Sequence, residues 1–152
     1  MSKIVAIDPS INNIGIAIDH DGKLNCFTIH SKGRTDIEKA RYIANKIIEN
    51  FVFSIGHYDI YLETPDSWTR SGKNVQSLMK LSMSIGAIIG ALRDFDIHCI
   101  PVSKWKGTEH KMTPELFKAM YPDWPAINEH ERDAVGLLNY VLKEKNFLTF
   151  IK

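Results

Sequence analysis

The first thirty residues constrain the fold most. Three short β-rich runs follow one another with turn chemistry between them: Lys3 to Asp8, Ile14 to Asp19 and Leu24 to Ile29. Each run is apolar and β-branched, and the breaks, Pro9 to Asn13 and His20-Asp21-Gly22, carry residues that accept turn geometry. Gly22 can take positive φ, so the second break predicts a tight hairpin. The chain therefore opens as an antiparallel meander. After the polar break Ser31 to Thr35 the period changes. Ile37, Ala40, Ile43, Ala44, Ile47 and Ile48 recur at helical spacing, with Asp36 as the expected cap. Tyr58 to Glu63 predicts a fourth strand, Thr64 to Gly72 a loop, Asn74 to Phe95 a helix and Ile97 to Val102 a fifth strand. Ser103 to Met112 is expected as a second loop. Thr113-Pro114 begins a short helix that Tyr121-Pro122 ends, and Asn128 begins the last one, from about Glu129 to Lys145.

Strands connected through helices need crossovers, so the later strands run parallel while the opening three are antiparallel. The expectation is an α/β fold: a mixed five-stranded sheet flanked by helices, similar in order to the ribonuclease H-like fold. At 152 residues the chain is expected to form one domain, 1–152, with no linker, repeat or low-complexity segment. Hydrophobic residues at 44% and charged residues at 24% exclude disordered and coiled-coil classes. Cys26 and Cys99 are far apart and form no CxxC pair, so they read as two structural thiols in a reducing compartment. No apolar run reaches the ~18 residues of a membrane span, and the start MSKIVAID is too short and acidic for a signal peptide. A cytoplasmic protein with no membrane partner is expected.

The acids at the ends of these elements carry the chemistry. Asp8 closes the first strand, Glu63 closes the fourth, and His130 and Asp133 stand three apart on the last helix, a spacing that shares one face. Taken singly, each has an ordinary explanation as a turn, cap or solvated helix residue. If the first and fourth strands are neighbours, three carboxylates and an imidazole converge. Carboxylates so placed raise one another's pKa, and a divalent cation keeps them ionised. Oxygen donors favour Mg²⁺ or Mn²⁺, and the imidazole is compatible with Mn²⁺. Two ions on such a cluster could activate water and stabilise the leaving oxygen in phosphodiester hydrolysis.

The formal net charge of +1 does not announce a nucleic-acid binder, but the charge is unevenly spread. Between Asp66 and Lys111 seven basic residues face four acids, which is +3, and the remainder of the chain is −2. Arg70 and Lys73 in the first loop, and Lys104, Lys106 and Lys111 in the second, are suited to phosphates beside an acidic centre. Trp68 could stack on a base or wedge into a branch point, and Trp105, between two lysines, is a second candidate; either could equally anchor its loop on the core. The helix after Asn74 carries Ser82, Gly86 and Gly90 at four-residue spacing. Helical glycines cost ~1 kcal/mol each against Ala, so close packing is expected there, against the sheet or across a two-fold dimer.

The segment IVAIDPSINNIGIAI resembles the opening strand pair of RuvC-type Holliday junction resolvases. Glu63 and the stretch ending in KNVQSLMKL look like that family's second acid, DNA-contacting loop and following helix, and HERDAVGLL resembles its paired D/H-x-x-D-A motif. The resemblance covers nearly the whole chain. It implies that Asp8, Glu63, His130 and Asp133 take the four catalytic and metal positions, that Asn74 joins the DNA-binding set, and that a homodimer makes paired nicks in branched DNA with two Mg²⁺ or Mn²⁺ ions per site. The short chain and the WKG loop look more like phage-encoded members. His130 stands where many members have Asp, and the loop after Glu63 is longer than in typical bacterial members. Rival expectations are a ribonuclease H-like nuclease acting on RNA/DNA hybrids or DNA ends, a non-catalytic junction-binding protein, and an actin-like ATPase, which needs two such domains.

Overall fold

A computed structural model describes residues 3–52, 57–66, 75–107 and 110–150. The elements are β1 (Lys3–Asp8), β2 (Asn13–His20), β3 (Lys23–His30), α1 (Asp36–Ile47) with a π-helical turn after it (Ile48–Val52), β4 (Tyr58–Thr64), α2 (Val75–Ala91), β5 (Ile97–Pro101), α3 (Val102–Trp105), α4 (Pro114–Met120) and α5 (Glu129–Phe150). The sheet order is β3-β2-β1-β4-β5. β1, β2 and β3 pair antiparallel, whereas β4 pairs parallel with both β1 and β5. The five-stranded mixed sheet is therefore the one expected, with β1 and β4 adjacent. At the β2–β3 hairpin Asp21 (φ 54°) and Gly22 (φ 77°) both adopt positive φ, which matches the twist of the flanking strands.

The sheet separates two cores. Val5, Ile7, Ile60 and Leu62 project to one side, against Ile43 and Ile47 of α1 and Ile85 and Ile88 of α2. The intervening residues Ala6 and Ala17 face the other side, against Ala134, Val135, Leu138 and Val141 of α5. Strand side chains alternate faces, so Asp8 follows Ala6, and Gly15 follows Ala17, onto the α5 side. On this side the two central antiparallel strands contribute the alanines Ala6 and Ala17, which let the helix lie close to them.

Several local expectations change. Thr35 rather than Asp36 caps α1: its hydroxyl accepts from Glu38 N, and Glu38 reaches back to Thr35 N, a reciprocal capping box. α2 ends at Ala91, before Phe95, β5 stops at Pro101, and α5 continues to Phe150. The second loop begins with the helical turn α3, which carries Trp105 into the core. Trp105 is fully buried, so it anchors this segment and is not a base-stacking residue. Gly136 makes the room, since a Cβ there would lie 2.8 Å from Trp105 Cζ3. Cys99 is exposed rather than packed, while burial pushes the thiol of half-buried Cys26 up to about 12. Among the described residues no helix is long and apolar enough to cross a membrane.

Candidate active site

β1 and β4 run parallel and side by side, so their C-terminal ends lie together and deliver Asp8 and Glu63 to one edge of the sheet. Strand parity turns both carboxylates toward α5. There His130 Nδ1 lies 2.9 Å from Asp8 Oδ2. Asp133, one turn along the same face, pairs with Lys106 Nζ at 2.5 Å, and the same ammonium is 3.7 Å from Glu63 Oε1. The structure thus brings together all four acid or imidazole residues expected from the sequence. Asp8 and Asp133 are only 5% and 6% exposed, which is unusual for carboxylates without a purpose.

Two features seat α5 against the acids. Asn128 and Glu131 form a second capping box: Glu131 N donates to Asn128 Oδ1 (2.9 Å), and Asn128 N donates to Glu131 Oε2 (3.1 Å). Thr28 of β3 ties this cap to the sheet by donating to Glu131 Oε1 (3.1 Å) and accepting from Asn128 Nδ2 (2.7 Å). The second feature is Gly15, which pairs in register with Asp8. An ideal Cβ at Gly15 would stand 1.9 Å from His130 O and 2.4 Å from His130 C. Only a residue without a side chain lets the first turn of α5 touch β2 there. Sequence reading missed this contact, although a glycine inside a β-rich run is a signal of close backbone approach.

The electrostatics are those of crowded, desolvated acids. Burial is the largest cause raising the pKa of Asp8, partly opposed by the hydrogen bond from His130. Burial, then the neighbouring Asp8, pushes Glu63 up to about 7. His130 is raised by its hydrogen bond to Asp8. For Lys106, burial works against the ammonium, but Glu63, Asp133 and Asp8 outweigh it and the net direction is up. A raised folded-state pKa means that the folded protein holds protons the unfolded chain has lost, so stability falls as pH rises through that window. Asp8, Glu63 and His130 all act in this sense. With divalent ions chelated, the melting temperature should therefore fall as pH is raised from about 4.5 to beyond about 7. A thermal unfolding series by circular dichroism checks this; a flat or rising profile contradicts it.

The donor set suits Mg²⁺ or Mn²⁺: three carboxylates and one imidazole, with Glu63 Oε2 buried and facing no hydrogen-bond donor. As the side chains stand, no three such donors among the described residues already enclose a metal position. Lys106 brings an ammonium to this cluster, beside the imidazole of His130.

Of the residues expected at DNA, Lys104 and Lys111 are exposed and Lys106 lies on the acids. Trp68, Arg70, Lys73 and Asn74 lie outside the described residues.

The fold is that of the RuvC resolvases. It matches the T. thermophilus RuvC in complex with a Holliday junction substrate with a TM-score of 0.68, over 90% of this chain and 89% of that one, at 12% identity. A second Thermus thermophilus RuvC structure matches with a TM-score of 0.60 over 88% and 89% of the two chains, at 14% identity. The chain belongs to the family described as Lactococcus phage M3 protein, whose model matches residues 1–114. That match includes Asp8 and Glu63 and ends before His130 and Asp133. No curated protein matches the sequence.

Proposed function

We propose that this protein is a structure-selective DNA endonuclease that resolves Holliday junctions and other branched DNA by metal-dependent phosphodiester hydrolysis with paired nicks. The observation that carries the reading is the convergence of Asp8, Glu63, His130 and Asp133 at one sheet edge of a RuvC fold. Asp8, Glu63 and Asp133 would hold Mg²⁺ or Mn²⁺, with His130 as a further ligand or as the group that orients water. When bound, the metal would supply an activated water and charge neutralisation at the leaving oxygen. His130, hydrogen-bonded to Asp8, keeps a fixed ring orientation and can hold a proton at the site. Exposed Lys104 and Lys111 add positive charge suited to flanking phosphates, and the DNA-contacting set expected from the sequence also takes in Trp68, Arg70, Lys73, Asn74 and Lys106.

Paired nicks call for two sites, and α2 offers a surface for pairing chains. Val75, Met79 and Ile89 are exposed, and Cβ atoms built on Gly86 or Gly90 would meet nothing within 4 Å. Packing on the chain's own sheet therefore does not account for these glycines, which favours a homodimer formed through this face. Gly86→Glu should convert the dimer to monomer in sedimentation velocity and reduce coordinated cleavage to single nicks; an unchanged dimer contradicts this face.

Incubating the purified protein with a mobile four-way junction, a flap and an RNA/DNA hybrid, in Mg²⁺, in Mn²⁺ and in chelator, tests the function. Metal-dependent cutting of the junction is expected. Preferential digestion of the hybrid would replace this reading with that of another ribonuclease H-like nuclease, and binding without cutting with that of a junction-binding protein.

A further inference from the structure

Lys106 sits where the proposed chemistry needs a cation. It is also held there by construction. α3 is a single helical turn whose last residue, Trp105, is buried in the α5-side core. Lys106 N donates to Val102 O, closing that turn, and Ser103 N donates to Asp66 Oδ1 at 2.9 Å. The Lys106 stem therefore leaves an anchored backbone, and its ammonium lies 5.5 Å from the Trp105 ring centroid and reaches Asp133 and Glu63 together. A lysine on a free surface loop would spend its charge in water.

We propose that Lys106 is a resident counter-ion of the acid cluster, which a divalent ion must displace on loading. The inference rests on the metal-dependent reading of the site. The ammonium reaches two carboxylates of the cluster, Asp133 and Glu63, and offers them a single positive charge. A divalent ion brings twice the charge to the same oxygens and excludes the lysine by repulsion. The released ammonium remains on its anchored turn, beside the site, where an incoming phosphate is the next anion available to it. This reconciles the expectation of Lys106 as a phosphate contact with its observed place among the carboxylates.

The test is Mn²⁺ binding to the full-length protein without DNA, by titration calorimetry. Lys106→Met should bind Mn²⁺ ~10-fold more tightly than wild type, because a full positive charge has been taken from hydrogen-bond range of the ligands. Lys106→Arg, which keeps the charge, should stay near wild type. Lys80→Met, which removes the same charge from the exposed side of α2, should change nothing. Equal or weaker binding by folded Lys106→Met, against a wild type that binds, overturns the counter-ion role alone. Absence of binding in both overturns the metal reading and this inference with it. Should Lys106→Met fail to fold, the wild type still decides: the lysine ammonium resonance missing from Lys106→Arg in ¹H–¹⁵N spectra should shift or disappear on adding Mg²⁺. A resonance indifferent to Mg²⁺ overturns the displacement.

Discussion

Asp8→Asn is expected to abolish cleavage of a four-way junction, a loss of roughly 10³-fold or more, while leaving junction binding intact or tighter. Asparagine keeps the size of the side chain and one carbonyl oxygen, so a site that is 5% exposed need not repack. What disappears is the negative charge at the centre of the cluster. His130 loses the carboxylate that raises its pKa and Glu63 loses a like-charged neighbour, so the charge pattern on both sides of Asp8 changes. Metal affinity should fall in consequence, since one of the oxygen donors is no longer anionic. Binding should not fall, because removing a negative charge from a surface that meets phosphates reduces repulsion. Gel cleavage assays in Mg²⁺ and Mn²⁺, with mobility shifts in chelator, measure both. Retained cleavage in a preparation free of host nucleases would refute the assignment of Asp8.

Gly15→Ala is expected to be the most damaging single-methyl change near the site. The added carbon would overlap the His130 carbonyl, 1.9 Å from its oxygen. Backbone atoms cannot rotate aside as a side chain could, so either β2 or the first turn of α5 must shift. The cost should reach at least the ~3 kcal/mol upper end of ordinary overpacking, which in a chain of this size lowers the melting temperature by about 6–12 °C. The same displacement pulls His130 from Asp8 and loosens the Asn128–Glu131 cap held by Thr28. Activity should thus fall further than stability, even at temperatures where the variant is fully folded. Alanine placed at Gly107, where a Cβ would meet nothing within 4 Å, is the matched control and should not lower the melting temperature. A Gly15→Ala protein that melts with the wild type would show that α5 does not rest on β2 as described.

Much of this is legible in the sequence. Apolar, β-rich runs located the five strands, and the change to helical spacing separated the meander from the crossovers. The hairpin followed from Asp21-Gly22, since positive φ at both positions is inexpensive for that pair. His130 and Asp133 shared a face by spacing alone. What the sequence left open has a common cause. Trp105, flanked by two lysines in a segment expected to be a loop, has the local signature of a surface aromatic, and its burial depends on Gly136, thirty-one positions further along the chain. Lys106 has the local signature of a phosphate contact, and its partners Glu63 and Asp133 come from a different strand and helix.

The sequence by itself determined which residues could be acids at strand ends, which faces were apolar and where turns and caps fell, because those depend on neighbours a few positions away. Only the tertiary structure decided what those acids meet. Parallel pairing of β1 with β4 put Asp8 beside Glu63, Gly15 admitted α5 to the sheet, and buried Trp105 held Lys106 over the carboxylates. The physical reason is that an electrostatic cluster is set by distances across elements. A few ångströms there settle whether a carboxylate holds a proton or an ammonium, or is ready for a metal.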